Sequence, residues 1–181
     1  MESFAEKTIS SRRIYEGKMI NLRIDTVALP DGAAAEREIV EHPGAVAVVA
    51  LTAGGEILLV RQFRKPIDRV TLEIPAGKLK AQEDPFLCAQ RELEEETGHQ
   101  AKDWRLLFTY FTTPGFSDEI MYLYLAQGLT ATEQCLDPDE FIEVVRAPIG
   151  QARQMITTGE IQDAKTIIGI LMASELINKQ F

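Results

Sequence analysis

Apolar and polar positions divide this chain into a run of short extended segments and then a mixture of strands and helices. From Lys7 to Val40 the pattern reads as three strands, Thr8–Tyr15, Asn21–Leu29 and Ala35–Val40. They are interrupted by Glu16-Gly17-Lys18 and by Pro30-Asp31-Gly32, a hairpin-type turn. Three such strands make a thin sheet with open edges and little core, which must pack on the rest of the chain or on a second subunit. Pro43-Gly44 marks a boundary, giving an extension over 1–42 and a main domain over 43–181. In the main domain Ala45–Leu51 and Glu56–Phe63 predict a hydrophobic hairpin around Ala53-Gly54-Gly55, followed by a short strand at Thr71–Ile74. Further strands are expected near Trp104–Thr112, Ile120–Leu129 and Phe141–Arg146, and helices over Ile149–Thr158 and Ala164–Asn178. This mixture predicts an α/β fold, with helices on both faces of a mixed sheet and a small antiparallel sheet before it.

Composition narrows the function more than the fold. A chain of 181 residues holds one domain plus an extension, with room for a real core. A net charge of −9 and a pI near 4.8 argue against wholesale binding of nucleic acid or anionic membranes. An anionic substrate must then meet local cations, meaning bound metal and a few arginines. The two cysteines, Cys88 and Cys135, fit reduced thiols better than a disulfide. With no long apolar run and no signal-like N-terminus, the expected location is cytoplasmic.

The chemistry concentrates between Gly77 and Gly98. Asp84 is a good N-cap, Pro85 suits the first helical position and Gly98 the position just past a helix end, so a helix is expected over about 85–97. On that helix Glu92 and Glu96 lie one turn apart on one stripe, with Glu95 beside them. Glu94 lies about 200° around the axis from Glu92 and faces elsewhere. A Glu-rich helix is commonly just a solvated face. Here the crowding of like charge beside a glycine loop also suits a hard divalent cation, Mg²⁺ or Mn²⁺. Arg91 can reach Glu95 and Glu83, and its expected role is to fix carboxylate orientation. Phe86, Ala89 and Leu93 form the apolar stripe that docks on the sheet.

Gly77, Glu83, Arg91, Glu92, Leu93, Glu95, Glu96 and Gly98 fall in register with the Nudix box, so the segment resembles the Nudix hydrolase family. His99 departs from the pattern, standing where the box ends on an aliphatic residue. The resemblance extends over nearly the whole chain. Arg37-Glu38-Ile39-Val40, His42-Pro43-Gly44-Ala45-Val46-Ala47-Val48, Arg61-Gln62-Phe63-Arg64-Lys65-Pro66 and Glu73-Ile74-Pro75-Ala76-Gly77-Lys78-Leu79 look like the bacterial ADP-ribose pyrophosphatase subgroup. So does Thr113-Pro114-Gly115-Phe116-Ser117-Asp118-Glu119, whose Pro114 stands at the subgroup's spacing beyond the box.

The resemblance implies a Nudix α/β/α sandwich that hydrolyses the pyrophosphate of ADP-ribose to AMP and ribose 5-phosphate. It implies that the carbonyl of Ala76, with Glu92 and Glu96, holds two or three Mg²⁺ ions, Glu95 supporting that shell and Glu83 acting through Arg91. The base that activates water is expected from the loop Asp137-Pro138-Asp139-Glu140-Phe141, with Glu140 chosen and Glu119 its rival, the latter otherwise touching a ribose hydroxyl. Arg37, Glu38 and Arg64 are the expected substrate-recognition group, a surface ion pair being the other reading for Arg64. Pro114-Gly115 belongs to the same set, its bland reading being a simple turn. A homodimer built through the N-terminal sheet would bring Arg37 and Glu38 across to the substrate. Met19 stands where some relatives stack an aromatic on adenine, a departure that leaves base selectivity open. The same chemistry on another nucleoside diphosphate sugar is the alternative. A sensing domain that binds without hydrolysis fits poorly, since every acidic position of the box is filled.

Overall fold

The computed structural model describes residues 4–178. Its elements run, in chain order, β1 Lys7–Glu16, β2 Asn21–Ala28, β3 Ala34–Glu41, β4 Ala45–Ala50, β5 Glu56–Arg64, β6 Arg69–Glu73, β7 Ala76–Lys78, α1 Pro85–Thr97, β8 His99–Phe111, β9 Ile120–Ala131, β10 Glu143–Pro148, α2 Ile149–Thr158 and α3 Ala164–Asn178. Two compact units emerge. One comprises Met1–Gly44 with Tyr110–Met121, the other Ala45–Thr109 with Tyr122–Phe181.

In the first unit, β1, β2 and β3 form an antiparallel sheet in that order. The turn after β1 closes through the Gly17 amide on the Ile20 carbonyl, and glycine is required there. A Cβ on Gly17 would meet the Tyr15 ring at 2.5 Å and the Ile20 carbonyl at 2.9 Å. Asp25 and Val27 of β2 are buried, whereas all ten residues of β1 are exposed, Ile9, Ile14 and Tyr15 among them. The 113–119 segment folds against the end of β3: the Val40 amide donates to the Phe116 carbonyl, and the His42 amide to the Asp118 carboxylate. Pro114 and Gly115 form the turn of that segment, closed by the Phe116 and Ser117 amides on the Thr113 carbonyl.

The second unit is organised around β4. This strand lies in the sheet β7-β4-β9-β8 and is buried at every position. Its sequence, Ala45-Val46-Ala47-Val48-Val49-Ala50, is the unbroken apolar run of a strand covered on both faces. Val46, Val48 and Ala50 share a core with Cys88, Ala89 and Leu93 of α1 and with Tyr124 and Ala126 of β9. Val49, on the opposite face, meets α3 so closely that a Cβ on Gly169 would lie 2.8 Å from it. Helices therefore cover both faces of β4, as the α/β/α expectation requires.

Three local expectations are corrected. Ala45–Leu51 and Glu56–Phe63 are linked by a tight turn, but they do not form one ladder. Apart from the bridge Leu51–Ile57, β5 leaves for a second sheet, β10-β5-β6. Both strands carry apolar residues on both faces, so each has its own layer to fill. The single strand expected at Thr71–Ile74 is β6, and a further strand, β7, follows Pro75 and pairs with β4. The last strand begins at Glu143 and not at Phe141, which is left exposed.

Candidate active site

Helix α1 ends where its sequence says it should. The Asp84 carboxylate accepts from the Phe86 amide at 2.8 Å and the Leu87 amide at 3.3 Å. Gly98 sits at φ 62°, in the left-handed conformation that caps the helix. Cys88, Ala89 and Leu93 are buried, while Phe86 packs edge-on against Trp104. The face so fixed brings Glu92 and Glu96 against β7, where both residues are almost fully buried. The Ala76 amide donates to Glu96 at 3.0 Å. Gly77 lies against the other acid: a Cβ built there would stand 2.0 Å from the Glu92 carboxyl. Only glycine lets the strand backbone approach this carboxylate.

Arg91 ties the remaining acids together. Its Nε and Nη2 grip Glu83 at 2.9 and 3.1 Å, and its Nη1 reaches Glu92 at 2.7 Å and Glu95 at 2.8 Å. One guanidinium thus orients three carboxylates through charge-assisted bonds. Glu94 is turned away and accepts from Gln100. His99, the departure from the box, donates from Nδ1 to the Thr97 carbonyl and meets Arg146, so a polar contact occupies that position.

The environment separates these acids. The Arg91 bond holds Glu83 down at about 2, with the Lys80 amide assisting against a smaller effect of burial. Burial pushes Glu96 up to about 8, opposed by the Ala76 amide and reinforced by the charges of Glu92 and Glu140. Glu92 is raised too, again chiefly by burial. Burial likewise pushes the Cys88 thiol to about 12, which leaves it inert at neutral pH. Among the described residues no three acidic, histidine or cysteine side chains converge into a ready cation cage. What converges is a pair of hard, desolvated carboxylates beside the β7 backbone, and a divalent cation would offset the burial that disfavours their charged forms. The donor set therefore fits a hard divalent cation such as Mg²⁺, which Glu92, Glu96 and the neighbouring Ala76 backbone could hold.

The other expected residues fall in different surroundings. Glu140 lies in a loop turn, its amide donating to the Asp137 carbonyl at 2.9 Å, within electrostatic reach of Glu92 and Glu96. Glu119 accepts from Thr112 at 2.6 Å and lies 3.5 Å from His42, all within the first unit. Arg37 and Glu38 are successive residues of β3 and leave on opposite faces, Arg37 pairing with Glu6. Met19 is exposed and lines a cavity of about 450 Å³ with Lys18, His42 and Asp118. Arg64 does not make a surface ion pair. It grips the buried Glu73 at 2.8 and 2.7 Å and senses the charge of Glu96.

Glu73 itself escaped the sequence reading, as did Thr71, Asp163 and Lys165 around it. The available signal was an acid at the end of a short strand, just ahead of Ile74-Pro75-Ala76-Gly77. Burial alone would raise Glu73, yet Arg64, Lys165 and Thr71 together hold it at about 2.

Residues 33–168 match the NUDIX domain family, and residues 6–40 match the nucleoside diphosphate sugar hydrolase N-terminal domain. The chain is 48% identical to an ADP-ribose pyrophosphatase of Bacillus subtilis, over 94% of this chain and 93% of that protein. It is 46% identical to a methanol dehydrogenase activator of Bacillus methanolicus, over 92% and 91%. A crystal structure of an ADP compounds hydrolase superposes with a TM-score of 0.87 at 19% identity, over 99% of this chain and 98% of that one, a likeness of fold.

Proposed function

The chain belongs to the Nudix family of hydrolases, and from that premise we propose that it cleaves the pyrophosphate of ADP-ribose to AMP and ribose 5-phosphate. The observation that carries the reading is the buried pair Glu92 and Glu96, closed over by the Ala76-Gly77 backbone and braced through Arg91. Two or three Mg²⁺ ions, or Mn²⁺ in their place, held by Glu92, Glu96 and the Ala76 carbonyl would neutralise phosphoryl charge and acidify water. Around them Arg91 keeps Glu83, Glu92 and Glu95 in fixed directions, so little reorganisation is needed as charge develops. Glu140, on a loop facing the pair, takes the proton from the attacking water. Arg64 offers a cation to the diphosphate, and Met19 receives the base. Arg37, Glu38, Pro114, Gly115 and Glu119 complete the substrate group.

We further propose a homodimer with the N-terminal sheet packed or exchanged between subunits, and a cytoplasmic location. Support for the dimer comes from β1, an all-exposed strand that carries Ile9, Ile14 and Tyr15. Light scattering at micromolar concentration tests it, and a fully active monomer would refute it. Both cysteines are free, and among the described residues no helix is long and apolar enough to cross a membrane.

A second reading keeps the chemistry and changes the sugar nucleotide, which the flexible Met19 in place of a rigid stacking ring favours. The deciding experiment is turnover of a panel of dinucleotides and nucleotide sugars with Mg²⁺ and with Mn²⁺, products identified by chromatography. AMP and ribose 5-phosphate from ADP-ribose, at the highest kcat/KM of the panel, is the expected result. A higher kcat/KM on another nucleoside diphosphate sugar selects the second reading, and no turnover of any of them refutes both.

A further inference from the structure

A second buried polar cluster lies outside the acidic helix, at the junction of β5, β6 and α3. Glu73 is 2% exposed, and donors approach it from three elements. Arg64, at the end of β5, grips both oxygens. Thr71, two residues back on β6, donates to one at 2.6 Å, and Lys165, in the first turn of α3, donates to the other. Lys165 is held in turn by Asp163 at 3.0 Å. Asp163 also accepts from the amide and hydroxyl of Thr166, and the Thr166 hydroxyl accepts from the Ile74 amide at 2.9 Å. Every member is bonded, and the side-chain charges balance.

A buried carboxylate with this many donors is a costly thing to build merely for packing. Replacing such a cluster by apolar residues is often neutral for stability, so a role in orientation accounts for it better. Its geometry gives that role. Arg64 spends Nε and Nη2 on Glu73, and among the described residues its Nη1 donates no bond. The guanidinium plane is thereby fixed, with one edge anchored and the other available, in electrostatic reach of Glu96. Arg64 and Lys165 also border one cavity of about 410 Å³, so the anchored cation faces open space.

We propose that Glu73, braced by Lys165, is a positioning residue that aims Arg64 at the diphosphate of the substrate. The proposal rests on the assignment of Arg64 to substrate recognition. Lys165 acts at one remove: its ammonium holds Glu73 from the side opposite Thr71, and Asp163 holds Lys165 in turn. An arginine held this way meets its anion without losing rotamer freedom on binding, so its loss of aim is read in KM more than in kcat.

The test is a double-mutant cycle of Glu73→Gln and Arg64→Ala, with kcat and KM for ADP-ribose and the melting temperature measured for each protein. Glu73→Gln is expected to raise KM about 10- to 100-fold, the range of one charge-assisted bond, with kcat within about threefold. In the Arg64→Ala background the same change should add less than about threefold, because the group it aims is gone. If the two changes multiply, or Glu73→Gln only lowers the melting temperature, the proposal is overturned. Should Glu73→Gln fail to fold, Lys165→Gln carries the same cycle with the same criterion. If wild-type protein does not turn over ADP-ribose, the substrate reading fails by itself. The cycle is then read from the dissociation constant of ADP, whose diphosphate tests the aim of Arg64 whatever sugar is preferred.

Discussion

Gly77→Ala separates the site from the fold. The added Cβ would lie 2.0 Å from the Glu92 carboxyl, and ordinary contact begins near 3.4 Å, so that carboxylate must retreat by roughly 1.4 Å. The obstacle is the far end of a flexible side chain, and φ at Gly77 is not in the left-handed region, so the backbone can stay. Moving Glu92 breaks its bond to Arg91, which costs about 1.5–3 kcal/mol, partly offset by the 0.4–1 kcal/mol that Gly→Ala gains by stiffening the unfolded chain. A net loss near 1–2 kcal/mol lowers the melting temperature by about 2–8 °C in a chain of this length. The effect on chemistry is larger, since a displacement of about 1 Å at a reacting centre costs on the order of 10²-fold. The assay is kcat/KM for ADP-ribose with saturating Mg²⁺, beside a thermal melt. A kcat/KM within threefold of wild type would refute the reasoning. So would a fall in melting temperature beyond about 15 °C, which means the backbone and not the carboxylate gave way.

Glu96→Gln should remove metal-supported turnover and leave the fold intact, the loss exceeding the roughly 10–100-fold seen when only a supporting group is changed; activity within threefold of wild type sinks the metal assignment. Glu140→Gln should lower kcat by about 10²–10⁴-fold with little change in KM, while Glu119→Gln raises KM; the reverse pattern exchanges their roles. Leu93→Ala empties a fully buried position between α1 and β4 and should cost about 2–5 kcal/mol in urea unfolding; a loss under 1 kcal/mol contradicts the packing described. For pH, Glu73 and Glu83 are depressed to about 2, so their stabilisation is present above about 4.5 and is lost as pH falls toward 2. Glu96 is raised to about 8, so its neutral form stabilises below about 4.5, and that contribution is lost as pH rises through 8. Melts of metal-free protein should therefore drop between about pH 4.5 and 8 and recover with Mg²⁺, and a flat profile over that window would refute it.

The acidic helix was legible because its signals are local. Capping by Asp84 and Gly98, the spacing of Glu92 and Glu96, and the reach of Arg91 to Glu83 all follow from helix geometry within a single segment. The three N-terminal strands were legible for the same reason, each ending at a turn that the sequence marks. What sequence missed depends on contacts distant along the chain. The run at Glu56–Phe63 looks like the second arm of a hairpin, and only its pairing with Glu143–Pro148 sends it to another sheet. Arg64 was found by resemblance, but its anchoring acid, nine residues later, and Lys165, in the last helix, belong to no common periodicity. Arg37 and Glu38 were grouped by the resemblance, and the pleat of a strand divides adjacent residues between two faces.

An arginine–glutamate pairing organises each of the two clusters, with opposite purposes. Arg91 is the centre of the first: three carboxylates orient around it, and the acid it grips most fully, Glu83, is held near 2. Glu73 is the centre of the second, where the anion is fixed and the cation Arg64 is presented. Each surplus group lies at the edge of its cluster, so Glu92 and Glu96 offer negative charge and Arg64 offers positive charge. In a chain with nine more negative than positive charges, such placement would let an anionic diphosphate bind at the proposed site. Metal would meet its oxygens from the acidic side, and a rigid guanidinium from the other. Net charge repels the substrate, and only local arrangement, fixed by buried partners, reverses that. Five residues of chain, Glu73-Ile74-Pro75-Ala76-Gly77, run from the second centre to the backbone against Glu92, and Ile74 is pinned to Thr166. A disturbance at Glu73 therefore has a short covalent route to the loop over Glu92, which is why the cycle with Arg64→Ala, and not the single substitution, separates aim from collapse.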